Sequence, residues 1–325
     1  MASSASMESM PADDLGDDSA LDANIVAALP TGSQTHSVAP SGESIWVHTV
    51  KIEARNGDHG TGAFFKKSAP GDTAYSMLKG AFEAENALYE FVPEYVPRPV
   101  SFGTYMTRSD LHFYICEFVD MVDEVPSPAA WAGAAAALHK RSMWPTGMFG
   151  FHCTTHVADV LIDNTWDSSW EAVWTHQMKS LLRQDEVLHG LDEEYCELQA
   201  TFLNVVIPRY LRPLETNGRS ISPCLVHSSL WPDNIKPRTD SDAVSELGIC
   251  RNPHYRLGMS YIEEYLKQGM PISEPVEDFD TRNAIYAMKY HVLLSLIYHQ
   301  DPVFRQIAIK EMKQLVEQVA HPVLN

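Results

Sequence analysis

The stretch from Ser44 to Val119 constrains the fold of this chain more than any other. Alternating and β-branched residues from Ile45 to Ile52 predict a strand, Asn56-Gly57-Asp58-His59-Gly60 predicts a turn, and Gly62 to Lys66 predicts the return strand of a hairpin. Thr73 to Phe91 then places Leu78, Phe82, Leu88 and Phe91 on one side of an amphipathic helix. Pro93, Pro97 and Pro99 end that helix, and Val100 to Tyr105 and Leu111 to Val119 form a second strand pair. A hairpin, one long helix and a strand pair predict an antiparallel sheet with a helix packed on it.

Past Val119 the texture becomes helical. Pro128 to Lys140 is an alanine-rich helix, and Met143 to Phe151 is a Gly-, Pro- and aromatic-rich loop. Trp166 to Leu182 predicts a long helix whose stripe of Trp166, Trp170, Val173, Trp174 and Met178 belongs in a core. Leu191 to Leu214 is helical with a break at Pro208, and further helices are expected over Tyr255 to Gln268, Asp280 to Tyr298 and Pro302 to Val319. Arg282, Tyr286, Tyr290 and Leu294 recur there at helical spacing. The expected class is α+β in two lobes, with a sheet-and-helix lobe over 21–119 and a helical lobe over 120–325. Residues 1–20, rich in Ser, Asp and Ala without Lys or Arg, are expected to be a solvated acidic tail, and Leu21 to Leu29 a short helix.

A net charge of -19 argues against nucleic acid and anionic membrane surfaces as partners, since both are bound through Lys and Arg. Five cysteines without a C-x-x-C pair fit a reducing compartment. With no apolar run long enough to span a bilayer and no signal-peptide pattern, a cytoplasmic protein is expected. His152 and His156 stand four apart, but no carboxylate motif accompanies them and no metal site is expected there.

The chemistry concentrates in Pro223 to Asn234, which reads P-C-L-V-H-S-S-L-W-P-D-N. An apolar run delivers His227 into a turn, and Trp231 and Asn234 follow. This is the outline of a kinase catalytic loop, in which an Asp accepts the substrate hydroxyl proton and a later Asn binds magnesium. Asn234 is in place, whereas Ser229 occupies the acidic position. The order hairpin, helix, strand pair is also that of a kinase N-terminal lobe. Lys66 then falls near the end of the return strand, and Glu117-Phe118-Val119-Asp120 falls at the hinge, where backbone groups could bond adenine.

Taken together the residues resemble the fructosamine/ketosamine-3-kinases in their fungal-type form, a family of the protein-kinase-like fold. The resemblance runs through Phe64-Phe65-Lys66, Val96-Pro97-Arg98-Pro99, Leu138-His139, Phe149-Gly150-Phe151, Trp166 with Trp170-Glu171, and Ile207-Pro208-Arg209. It continues through Leu225-Val226-His227 with Leu230-Trp231 and Asn234, then Ile272-Ser273-Glu274-Pro275 and Asp278 to Ala284. It implies ATP-dependent, magnesium-assisted phosphorylation of ribulosamine or fructosamine adducts on glycated protein lysines. It also implies that Lys66 pairs with the ATP phosphates, that Glu117 and Val119 bind the nucleotide, that His227 and Asn234 serve catalysis with Asn234 on the metal, and that Trp231 packs on the sugar.

Three departures accompany the resemblance. The glutamate that partners the lysine stands in a Gly-Glu-Phe context in the family, and here the text is Gly80-Ala81-Phe82. Glu83 and Glu85 are the nearest acids, but a two-residue shift turns a side chain about 200° around a helix, so a substitute is not expected. In the catalytic loop Ser228 replaces glycine, Ser229 replaces the aspartate and Asp233 replaces a second glycine. After Arg238 the family's apolar strand and metal-binding Phe-Asp are missing, and Asp240 and Asp242 are expected to be solvated. Three losses at one chemistry imply an impaired kinase, or alternatively a pseudokinase that keeps the fold for binding or regulation.

Overall fold

A computed structural model describes residues 21–56, 61–143, 147–228, 234, 236, 247–251, 254 and 257–321. The chain divides into two compact units, one of residues 1–121 with 154–159, the other of residues 122–153 with 160–325.

The first unit begins with the short helix α1 (Ala23–Ala28), then β1 (Ser33–Pro40), β2 (His48–Asn56), β3 (Thr61–Pro70), α2 (Asp72–Phe91), β4 (Pro99–Thr104), β5 (Leu111–Glu117) and, later in the chain, β6 (Thr155–Val157). Five strands form one antiparallel sheet in the order β1-β2-β3-β5-β4. Because strand side chains alternate between faces, the sheet carries two separate apolar layers. One holds Val50, Ile52, Ala54, Phe64, Phe113 and Ile115 against Ile25 and Leu29 around α1. The other holds Tyr114 and Cys116, with Phe65 and Phe102 at its edge, against Leu78, Met77, Ala81 and Phe82 of α2.

Asp22 fixes the start of α1. Its carboxylate accepts from Asn24 N–H inside the helix and from Met106 N–H, Thr107 N–H and Thr107 O–H across the unit. Burial alone would raise its pKa, but the hydrogen bonds outweigh burial and hold it below the usual carboxylate value. β1 is a strand that the sequence pattern did not predict. Its residues are mostly polar and exposed, so no hydrophobic alternation announces it. Backbone pairing to β2 from Ser33↔Asn56 to Pro40↔Val50 makes it an edge strand, where proline is tolerated.

The second unit contains α3 (Pro128–Arg141), β7 (Val160–Ile162), α4 (Trp170–His189), α5 (Glu193–Thr201), α6 (Ile207–Leu211), α7 (Met259–Lys267), α8 (Phe279–Ile297) and α9 (Pro302–Ala320). The central helix α8 packs against α4 and α9 and is buried along most of its length. Several of its buried residues are polar, and Arg282 and Ser295 among them are tied to neighbours. Ser295 O–H donates to the fully buried Asp185 carboxylate at 2.6 Å, and Arg305 of α9 donates to the other carboxylate oxygen at 3.1 Å. Arg282 donates to Ser273 O at 2.6 Å and Pro275 O at 2.8 Å, which holds the segment leading into α8.

The tryptophan helix starts later than expected. Ser169 caps it by accepting from Ala172 N–H, and mutual hydrogen bonds of Phe149 and Asp167 keep the preceding segment extended. Trp166 therefore lies outside α4 and is 44% exposed, while Trp174 and Met178 are buried as expected. Trp170 donates through Nε1 to Tyr286 O–H at 3.0 Å. The expected break at Pro208 takes the form of a π-helical turn, Phe202–Val206, leading into α6; proline has no N–H to continue a regular ladder.

Candidate active site

Two consecutive lysines on β3 point to opposite faces of the sheet. Lys66 pairs in register with Val50 and Ile115, both of the layer covered by α1. It is fully buried there and donates to Tyr105 O–H at 2.7 Å, with its ammonium 5.3 Å from the tyrosine ring centre. Lys67 pairs with Thr49 and Tyr114 and lies on the α2 side. Its ammonium stands 3.9 Å from Glu85 Oε1, with the side chain one-third exposed.

On α2, Glu85 is the acid that lies against Lys67. Glu83 is two residues beyond Ala81, but Glu85 is four beyond. Four residues turn a helix by about 400°, which leaves Glu85 only about 40° from Ala81 around the axis and about 6 Å further along it. Its second oxygen accepts from Tyr114 O–H. Burial, and next the negative charge of Glu85, push the Tyr114 pKa far above its ordinary value, so the phenol remains a donor at every physiological pH.

One close-packed position sets where α2 sits. A Cβ on Gly80 would come within 2.5 Å of the Thr154 carbonyl oxygen, so the helix can approach residues 154–155 only with glycine there. At the other end of the unit the N–H of Glu117 goes to Arg98 O (2.8 Å) and that of Phe118 to Ala63 O (2.9 Å). Glu117 thus still belongs to the sheet, and Val119 follows beyond those two bonds, half-buried.

In the second unit the segment leading to His227 is anchored by the end of α3. Leu225 N–H donates to Ser142 Oγ at 2.9 Å, and Ser142 O–H in turn donates to Leu138 O at 2.7 Å. His227 is half-buried. Ser228 has φ +61°, a left-handed conformation that disfavours side chains. Its Oγ lies 3.2 Å from the ammonium of Lys289 on α8, which is nearly fully buried and lies 3.4 Å from Gln177 Oε1. Asn234 is exposed. Ser229 and Trp231 lie outside the described residues, as do Asp233, Asp240, Asp242 and the segment after Arg238.

His139 of α3 lies behind the Ser142 support. Its Nδ1 is 2.7 Å from Tyr265 O–H, and burial pushes its pKa down to about 4, so the ring is neutral at pH 7. Sequence reasoning did not single out Lys67, Tyr114 or Lys289. For Lys67 the available signal was strand alternation, which becomes decisive once the face carrying α2 is known. Among the described residues no three His, Cys, Asp or Glu side chains converge, and Asn234 alone supplies a single neutral oxygen. The described residues therefore do not fit a magnesium site by themselves.

An antiparallel sheet packed on one long helix, followed by a helical unit, is the architecture of kinase-like phosphotransferases. A crystal structure from Thermobifida fusca assigned to the fructosamine-3-kinases matches with a TM-score of 0.70 at 18% identity, covering 93% of this chain and 100% of that one. An aminoglycoside phosphotransferase solved with AMP-PNP and hygromycin B matches with a TM-score of 0.55 at 12% identity, covering 87% and 94%. The chain belongs to the fructosamine kinase family, whose model matches residues 34–319. A protein-ribulosamine 3-kinase of Oryza sativa subsp. indica, named as chloroplastic, is 26% identical over 239 residues, which cover 71% of this chain and 66% of that protein. The match thus spans slightly under two thirds of the rice protein's length. No helix among the described residues is long and apolar enough to cross a membrane.

Proposed function

We propose that this chain binds ATP and ketosamine adducts on glycated protein lysines, and transfers phosphate to the sugar 3-hydroxyl slowly. Family membership over residues 34–319 carries this reading. The protein-ribulosamine 3-kinases among its relatives support the substrate class, and the AMP-PNP complex of a fold neighbour is in keeping with a nucleotide. The five free cysteines fit a cytoplasmic setting.

In this reading Lys67 rather than Lys66 meets the phosphates. Lys66 is fully buried under α1 and donates to Tyr105, whereas Lys67 faces α2 with its ammonium partly open to solvent. Glu117 and Val119 line the adenine through backbone groups, Trp231 packs on the sugar, and His227 and Asn234 hold the loop and the phosphoryl group. The left-handed backbone at Ser228 supports retention of the family loop shape, since that conformation is what the family's glycine serves. The family resemblance implies magnesium, for which Asn234 would be one oxygen donor. Ser229 limits the rate. A serine hydroxyl does not take a proton at neutral pH, and loss of a general base costs about two to four decades.

The test is a thermal-shift titration with ATP, with and without magnesium, followed by transfer to a ribulosamine-modified peptide read by mass spectrometry. Nucleotide-dependent stabilisation with slow phosphate transfer is expected, together with a gain of at least tenfold in rate for Ser229→Asp. Absence of any nucleotide effect would sink the reading. Nucleotide binding with no transfer even in Ser229→Asp would instead support the second reading, a pseudokinase that binds without catalysis, which Ser229 in the base position favours.

A further inference from the structure

The α2 side of the sheet carries a polar cluster. Lys67, Glu85 and Tyr114 meet there, from β3, α2 and β5. Tyr114 is fully buried and donates to one oxygen of Glu85, leaving the other oxygen directed at Lys67. The ammonium of Lys67 lies 5.9 Å from the Phe65 ring centre and 5.7 Å from that of Tyr114, so the lysine stem is bracketed by aromatic rings. At 3.9 Å the contact with Glu85 is an ion pair without a hydrogen bond, and the Lys67 ammonium makes no hydrogen bond among the described residues. Its donors are available to an anion.

We infer that Glu85 is a relocated counter-ion: the carboxylate that orients the phosphate-binding lysine has moved one helical turn along α2, from the place of Ala81, and Tyr114 holds it in its new position. Ala81 lies on the same side of the helix and already packs against the Leu78, Tyr114 and Cys116 layer, so both positions address the same part of the sheet. A Lys–Glu pair that is partly open to solvent at this distance contributes little to stability. A buried tyrosine aimed at the carboxylate has a different consequence, because it fixes one oxygen and with it the direction of the other. Glu85 and Tyr114 are positioning residues, acting through Lys67. The inference rests on the proposed ATP-binding reading, and it restores one of the three features whose loss the sequence implied.

The experiment uses the full chain with Glu85→Gln, Tyr114→Phe, Lys66→Met and the double exchange Glu85→Ala with Ala81→Glu. Two readouts are taken, ATP affinity and the rate at which an amine-directed reagent modifies Lys67, mapped by peptide mass spectrometry. Glu85→Gln is expected to weaken ATP by about tenfold, and Tyr114→Phe by a smaller factor. The double exchange should recover most of the loss, which a merely structural role for Glu85 would not produce. Unchanged ATP affinity in Glu85→Gln, or loss of binding confined to Lys66→Met, overturns the inference. Should the unaltered chain bind no nucleotide, the functional reading fails and the labelling decides the pair alone. A Lys67 rate that changes in Glu85→Gln and returns in the double exchange upholds it, and a rate that stays constant through both overturns it.

Discussion

Ser228 has a backbone conformation that a side chain disfavours, and the cost can be measured. At φ +61° a non-glycine residue gives up about 1–2 kcal/mol relative to glycine. The hydroxyl recovers part of this through Lys289, whose ammonium lies 3.2 Å away. Comparing Ser228→Gly with Ser228→Ala separates the two effects, because both remove the hydroxyl and only glycine suits the backbone. The glycine variant is expected to be more stable than the alanine variant by about 1 kcal/mol in denaturant unfolding. At an ordinary exposed position the order reverses. An alanine variant that equals or exceeds the glycine variant would mean that residue 228 does not hold the left-handed geometry.

At the scale of elements, α2 is placed by what it lacks. Replacing a helical glycine by alanine normally gains about 1 kcal/mol. At Gly80 the added Cβ would stand 2.5 Å from a backbone carbonyl oxygen, which cannot rotate away. Gly80→Ala is therefore expected to destabilise the first unit by about 1–3 kcal/mol, read by denaturant unfolding, with faster amide exchange around Thr154. A neutral or stabilising result would place α2 further from residues 154–155. The same helix marks the limit of what the sequence discloses. Its amphipathic spacing was legible in Leu78, Phe82 and Leu88, and so were β2, β3, β4 and β5 from alternation. β1 was not, because an edge strand held by backbone hydrogen bonds needs no apolar residues. Nor was the face that Lys66 and Lys67 each take. Alternation says that adjacent lysines face opposite ways, but only the packing of α1 and α2 says which face carries which helix. That Glu85 shares a side of α2 with Ala81 depended on counting four residues rather than two around a helix.

Across the molecule, buried titratable groups outline a stability profile with two limbs. In the second unit, burial holds His139 at about 4, and burial together with Arg251 holds His291 at about 4, against 6.5 when exposed. A histidine with a depressed folded pKa contributes stability that is fully present above 6.5. That stability drains as pH falls toward 4, because the unfolded chain takes up protons that the folded chain refuses. At about 1.4 kcal/mol per unit, each histidine withdraws on the order of 3 kcal/mol over that span. On the alkaline side burial raises the Cys116 and Cys250 thiols from 9.0 to about 12, so the folded state holds protons that the unfolded state releases, and stability declines as pH rises above 9. Net charge opposes the acid limb. The chain carries -19 at pH 7 and approaches neutrality near pH 5.0, which relieves self-repulsion over the same interval. The histidine effect is local and desolvated, whereas the repulsion is spread over an exposed surface and screened by salt. Unfolding temperature in 0.15 M salt is therefore expected to be highest between about pH 6.5 and 9 and to fall on acidification to pH 5. His139→Gln, which cannot take up a proton, should flatten the acid limb. An acid limb equally steep in that variant would assign the loss to other groups.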